Sequence, residues 1–399
     1  MSEPLALRIP RIPRRGGAAL HALALAALLA GCAGVPLNPP APVSAPAPAV
    51  RAPEAGPGAA PGAALLRPRA RWQPVDWSEL PGWDGDRVLE AWQALHRSCE
   101  RPAPGWAATC ADVLLNAPAD EAAARAWLKA RLQPYRVESP EGAAEGLITG
   151  YYEPLIEASR TPRGAFAVPL HRPPADLAMR RPYWTRQQLD TLPAAGAALR
   201  GREIAYVADP LDALVLQIQG SGRLRVTEPD GRQQLVRLAF AGHNDQPYKS
   251  VGRWLIEQGE IRAEQASWPG IKAWARANPR RVQEMLWANP RVVFFREEAL
   301  PDPQMGPRGA QGVALTPGRS IAVDPQSIPY GTPVWLASTE PLGAQALQRL
   351  VVAQDTGSAI VGAVRADFFW GWGDHAEQQA GRMKQPLRLW VLWPRPPQS

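Results

Sequence analysis

Residues 351–373 read VVAQDTGSAIVGAVRADFFWGWG. An apolar run, predicted as a strand over 350–354, ends in the turn Asp355-Thr356-Gly357. A second carboxylate, Asp367, stands twelve positions on, directly before Phe368, Phe369 and Trp370. Aromatic rings around a carboxyl exclude water, which disfavours the charged form and lifts the pKa toward the range where the group delivers a proton at neutral pH. Asp355, at a turn with free backbone N–H groups beside it, is expected to stay ionised. Two carboxylates in divergent environments are what acid-catalysed glycoside chemistry requires.

Each carboxylate also has a plainer reading. An Asp in Asp-Thr-Gly ties a strand-end turn through side-chain to backbone hydrogen bonds, and that alone accounts for Asp355. Asp367 has Arg365 two positions before it, and the two would form an ion pair if they shared one face of a strand. Most of the sixteen Trp are expected to pack in cores or under helices. Trp370 and Trp372 flank glycines in a turn-rich stretch, where exposed rings would stack on sugar faces; packing beneath a barrel is the alternative for Trp370.

Working outward, the pattern is mostly β. Strands are predicted at 291–295, 320–323, 334–336 and 387–392, and an earlier set at 147–152, 165–170, 205–207, 214–219, 223–227 and 235–240, with Pro229-Asp230-Gly231 as a hairpin turn. Short strands at this spacing suggest a barrel or sandwich. Helical stripes interrupt at 248–258, 269–277 and 280–287. Two more helices open the folded part. Asp84 or Asp86 caps a run containing Val88, Leu89, Trp92 and Leu95, and Asp120 caps a second that Pro134 ends.

The N-terminus has the form of a secretory leader. Arg8, Arg11, Arg14 and Arg15 precede an apolar run, Ala18 to Ala30, too short to span a bilayer. It ends in Leu29-Ala30-Gly31-Cys32, which resembles the bacterial lipobox, so Cys32 is the expected lipid attachment site, with Ala33 rather than Asp after it pointing to the outer membrane. Residues from Val35 to about Arg69 are dominated by Pro, Ala and Gly and read as an extended tether, reaching on the order of 100 Å at about 3 Å per residue. Cys99 and Cys110 are left in an oxidising compartment, a candidate disulfide. Five His and three Cys form no cluster of ligand spacing, and there is neither a phosphate-cradling glycine loop nor a His-activated nucleophile motif, so no metal or other cofactor is expected. Losing four Arg and one Glu with the leader brings the formal charge of +7 down to +4. Without a concentrated Lys/Arg stripe this argues against nucleic acid and suits an acidic polymer.

Several unconnected motifs occur in an order that resembles the membrane-bound lytic murein transglycosylase A family. They are the lipobox, Thr149-Gly150-Tyr151-Tyr152-Glu153-Pro154, Gln217-Ile218-Gln219-Gly220-Ser221-Gly222, Tyr248-Lys249-Ser250-Val251-Gly252, Asn289-Pro290 with Phe294-Phe295, and the aspartate-bearing stretch quoted above. The resemblance implies a mainly β fold with helices: a double-psi β-barrel domain with an inserted, β-barrel-like second domain and the substrate groove between them. On that division residues 1–31 are the lipoprotein signal peptide, 32–70 the lipid anchor and linker, 71–157 the N-terminal part of the barrel domain, 158–290 the insert, and 291–399 the C-terminal part with its three-aspartate domain.

By the same resemblance Asp367 matches the catalytic acid, Asp355 an aspartate lining the same cleft, and Asp324 a structural aspartate of the barrel. Tyr151, Tyr152, Gln219, Gly220, Ser221, Gly357 and Trp370 are the candidate sugar contacts. Where the family more often has Tyr shortly after the catalytic Asp, this chain has Phe369 and Trp370, a difference in sugar contacts that leaves the acid intact. The implied activity is cleavage of the β-1,4 bond between N-acetylmuramic acid and N-acetylglucosamine with 1,6-anhydro ring closure. Implied partners are peptidoglycan strands, the membrane through the N-terminal lipid, and murein synthase or scaffold proteins. A two-carboxylate murein hydrolase and a non-catalytic murein-binding lipoprotein are the alternatives.

Overall fold

The computed structural model describes residues 63–395; the leader, Cys32 and the linker up to residue 62 lie outside them. In chain order the elements are β1 (Leu65–Arg67), β2 (Ala70–Pro74), α1 (Trp92–Cys99), α2 (Ala107–Leu115), α3 (Glu121–Arg131), β3 (Leu132–Glu138), β4 (Gly146–Glu153), β5 (Leu155–Ser159), β6 (Val168–His171), α4 (Arg186–Thr191), α5 (Pro193–Ala197), β7 (Glu203–Val207), α6 (Pro210–Gln219), β8 (Gly222–Thr227) and β9 (Gln233–His243). They continue with α7 (Val251–Glu257), α8 (Trp268–Ala277), α9 (Val282–Ala288), β10 (Val293–Ala299), β11 (Ser320–Val323), β12 (Pro333–Thr339), β13 (Ala346–Asp355), β14 (Arg365–Trp372), α10 (Asp374–Ala380) and β15 (Lys384–Pro394).

The strands sort into two sheets. One runs β1-β2-β3-β15-β12-β13-β11-β14-β4, and a further β15–β4 pairing brings six of its strands back on themselves as a barrel-like ring. The other runs β10-β9-β8-β5-β7-β6 and occupies the excursion between β4 and β11. Long apolar runs are needed because the ring's strands are covered on both sides. Val351 and Ala353 of β13 point into the ring with Ile148, Val334, Phe368 and Leu389. Leu350 and Val352 of the same strand point outward, beneath α1 and α3, with Trp335 and Trp390. Cys99 and Cys110 are bonded to each other, tying α1 to α2.

Local expectations fail where one signal outweighed another. Residues 214–219 are helix α6, not a strand: Asp209 accepts from the Leu211 N–H, Pro210 occupies the first turn and Gly220, at φ 80°, ends it. Neither Asp84 nor Asp86 caps a helix, because the Asp86 carboxylate is buried in an ion pair with Arg319, at 2.8 and 3.0 Å. Asp120 does cap α3, accepting from the Ala123 N–H at 2.8 Å. Pro134 does not end α3, which stops at Arg131; the proline sits inside β3. The linker ends before residue 70, since β1 pairs with β2 and Arg67 lies 4.1 Å over the Trp72 ring. The stretch before Gly373 is the strand β14 rather than turn-rich. The sheets divide between Glu153 and Leu155 and rejoin after Ala299, so the boundaries at 158 and 291 cut β5 and put β10 in the wrong sheet.

Candidate active site

Four strands bring the site together in one row. In register, Thr149 of β4 lies beside Asp367 of β14, Asp367 beside Ala322 of β11, and Ala322 beside Asp355 of β13. The last pairing depends on a bulge: Ile321 pairs with Ala353, yet Ala322 pairs with Asp355, so one extra residue of β13 is accommodated. Strict alternation from Val351 and Ala353 would aim Asp355 into the ring, and the bulge turns it to the outer face. Gln354, the extra residue, is buried, bonded to Ala94 O and Ser98 Oγ of α1, both at 2.8 Å. Ala322 is buried between the two carboxyls, packed with Tyr151, Leu315, Ile360 and Phe369.

The two carboxyls are held differently. Asp355 Oδ2 accepts from the Tyr151 hydroxyl at 3.0 Å and Oδ1 from the Ala310 N–H at 2.9 Å, with the Thr356 N–H as a third donor. Asp367 Oδ1 accepts from the Thr149 hydroxyl at 2.6 Å, and that hydroxyl accepts from Arg365 Nη2 at 2.9 Å. Asp367 Oδ2 has no hydrogen-bond partner among the described residues. Arg365 thus reaches Asp367 through Thr149 and does not pair with it directly.

Both carboxyls titrate above the usual range. Burial lifts Asp367, against the Thr149 hydrogen bond and the Arg365 charge. Burial also pushes Asp355 up to about 6, with the like charge of Asp367 adding to it and three donors opposing. Asp355 still stays mostly ionised at neutral pH, as expected, but not because its turn is open: Tyr151 and the 307–312 loop cover that turn. Of the aromatic residues after Asp367, Phe369 lies beside Tyr151 and Ala322 with Trp372 packed against that cluster, whereas Phe368 points into the ring.

Ionising Asp355 in the folded protein, with its pKa moved from 3.8 to about 6, costs on the order of 2–3 kcal/mol at neutral pH. The folded state holds this proton more tightly than the unfolded chain. Its stabilising contribution is complete below pH 3.8 and lost as pH rises through about 6. Asp355→Asn is expected to be more stable than the wild type at pH 7.5 by about 1–2 kcal/mol, after one opposing hydrogen bond is lost. At pH 4 the gain should vanish. Calorimetry at both pH values checks this; an equal shift at both would show that the carboxyl's charge is not the cause.

The row faces a cavity of about 830 Å³ lined by residues of both sheets. Tyr151, Gln219, Gly220, Ser221, Gly357, Asp355 and Asp367 all line it. Gln219 sits at the end of α6, where its Oε1 accepts from the Tyr152 N–H at 3.1 Å. Tyr152 is on the opposite face of β4 from Tyr151 and lines a separate recess of about 190 Å³ with Trp268 and Ser250. Trp370 does not face the cavity: it packs on Phe368 and donates to Met383 Sδ at 3.2 Å, leaving the packing alternative as the observed one. Trp372 carries Arg223 over its ring at 3.8 Å. Asp324 is buried in the framework, paired with Arg69 at 3.0 Å and accepting from the Gly362 N–H. Thr149 and Ala310 were missed as site residues. Period-2 alternation from Tyr151 would have found Thr149, but nothing in the sequence marks Ala310.

Residues 147–296 match the MltA specific insert domain and residues 319–393 the 3D domain. A Vibrio cholerae protein named membrane-bound lytic murein transglycosylase A is 32% identical over 62% of this chain, which spans 65% of that relative's length. The structure of MltA from Neisseria gonorrhoeae aligns with a TM-score of 0.70 at 31% identity, covering 84% of this chain and 95% of that one. E. coli MltA with bound chitohexaose aligns with a TM-score of 0.60 at 26% identity, covering 84% and 94%. Among the described residues no helix is long and apolar enough to cross a membrane. The chain belongs to the membrane-bound lytic murein transglycosylase A family, whose members are lytic transglycosylases that cleave peptidoglycan.

Proposed function

We propose that this chain cleaves the β-1,4 bond between N-acetylmuramic acid and N-acetylglucosamine with Asp367 as the only proton carrier. The observation that carries this reading is the asymmetry of the pair: both oxygens of Asp355 are held by donors, while Oδ2 of Asp367 is free at the cavity wall. A glycan lying in the cleft removes the remaining water from Asp367 and raises its pKa further, so it enters the reaction protonated. Asp367 gives its proton to the glycosidic oxygen, and the bond from that oxygen to the muramyl anomeric carbon breaks. The same sugar's C6 hydroxyl attacks that carbon, returning its proton to the Asp367 carboxylate and closing the 1,6-anhydro ring. No water is consumed and no enzyme-linked sugar forms, unlike the two-carboxylate schemes.

Asp355, mostly ionised at neutral pH, opposes the positive charge developing at the anomeric carbon. Its replacement by Asn is therefore expected to lower kcat. Purified chain added to murein sacculi tests the activity: soluble fragments are expected, whereas a binding lipoprotein would pellet with the sacculi and release nothing.

The leader and lipobox support anchoring by lipid at Cys32 to the periplasmic face of the outer membrane. Cys32→Ala is expected to move the protein into the soluble fraction, and unchanged partition in outer-membrane preparations would contradict lipidation.

A further inference from the structure

The cleft carries more positive charge than proton transfer uses. Arg291, Arg296, Arg308 and Arg365 line it, Asp355 and Asp367 are the carboxyls of that lining, and the Asp245 charge acts on Arg291 from outside it. Arg296 is paired with Glu298 at 2.8 Å, and Arg365 is bonded to Thr149. Arg291 and Arg308 have no ion-pair partner among the described residues. Arg291 donates its Nε–H to Gln246 O at 2.7 Å, and Arg308 one Nη1–H to Gly312 O at 3.0 Å. A guanidinium has five N–H donors, so each keeps four for another acceptor.

The backbone that carries each is fixed by its surroundings. Arg291 is half-buried just before β10, its own N–H donating to Asn289 Oδ1 at 3.2 Å. Arg308 stands on the 307–312 loop, which is pinned to the catalytic row by the Ala310 N–H on Asp355 and by the Gln311 N–H on Gln354 O at 3.0 Å. Neutral N-acetyl sugars need no such charge. The muramyl unit, however, carries a lactyl ether at O3, whose carboxyl is free on a peptide-free strand. On a substituted strand it is amidated by a stem peptide that brings carboxylates of its own.

We propose that Arg291 and Arg308 form a carboxylate subsite for this substituent, and that it sets the register of the strand by admitting the muramyl unit, not its neighbour, at the scissile position. The inference rests on the peptidoglycan reading of the cleft. Planar guanidiniums with N–H groups to spare take carboxylates in two-point hydrogen bonds, and a carboxylate held at one position admits one phase of an alternating polymer and not the other.

The test uses the full chain and three glycan strands: with stem peptides intact, with stems removed to free the lactyl carboxylate, and stem-free with that carboxyl converted to the methyl amide. Wild type is expected to prefer a charged strand over the methyl amide by about tenfold in kcat/KM. Arg291→Gln/Arg308→Gln is expected to lose that preference, and exposed Arg308→Gln alone to lose part of it with an unchanged melting temperature. A preference confined to stem-bearing strands assigns the carboxylate to the peptide, and one for stem-free strands assigns it to the lactyl group. The subsite is overturned if wild type cleaves charged and methyl-amide strands equally, or if the double variant keeps the preference. Absence of anhydro products from every strand in wild type would instead overturn the reading of the cleft itself.

Discussion

Asp367→Asn is expected to lower release of murein fragments by roughly a thousandfold or more, at the upper end of what a positioned general acid and base contributes, since one group serves both steps. The substitution changes little else. The Asn carbonyl can still accept the 2.6 Å hydrogen bond from Thr149, and the amide is isosteric with the carboxyl it replaces. Burial disfavours the Asp367 charge, so removing it is expected to raise the melting temperature at neutral pH. Binding to sacculi should be retained. The variant is therefore expected to be a folded, glycan-binding protein without turnover, and circular dichroism with a sacculus pull-down separates that result from misfolding. More than a trace of residual release would move the proton donor elsewhere, with Asp355 as the remaining carboxyl in the row.

Glu153 should carry the largest stability effect. It ends β4, where the chain leaves the ring for the second sheet, and is fully buried. Arg223 of β8 donates to it at 2.8 Å and Arg237 of β9 at 2.5 Å, and both arginines are themselves buried. A buried pair of this kind adds little over well-packed apolar residues, but removing one partner strands the other charge. Here a single carboxylate serves two guanidiniums. Glu153→Gln is expected to cost about 3–5 kcal/mol and to lower the melting temperature by about 5–10 °C. Activity should fall with it, because Tyr151, two residues earlier, holds Asp355. A change under about 1 °C by calorimetry would show that water or rearranged carbonyls take over the role of Glu153.

The amount legible in the sequence differs between fold and site for physical reasons. The strands of the ring were visible because burial on both faces requires continuous apolar runs such as residues 350–354, and Asp120 followed by helix formers marks the start of α3. Residues 214–219 misled because Leu214, Leu216 and Ile218 alternate with smaller or polar neighbours while Asp209, Pro210 and Gly220 carry the helix signals outside the run. The two carboxyls could be picked out by residue type, but their environments could not. Asp355 faces the cavity only because of a bulge at Gln354, and it is covered by a loop forty-five positions away in sequence. Trp370 looked available for sugars beside its glycines, yet alternation along β14 turns it away from Asp367. Arg308 and Ala310 carry no local signature at all, since their place follows from how the chain returns from the second sheet.

The most direct test of single-carboxylate chemistry is mass spectrometry of the new glycan ends after digestion of sacculi in water enriched in oxygen-18. Attack by the C6 hydroxyl predicts 1,6-anhydromuramyl ends with no heavy oxygen incorporated. Reducing muramyl ends carrying oxygen-18 would contradict it and make Asp355 and Asp367 a hydrolytic pair.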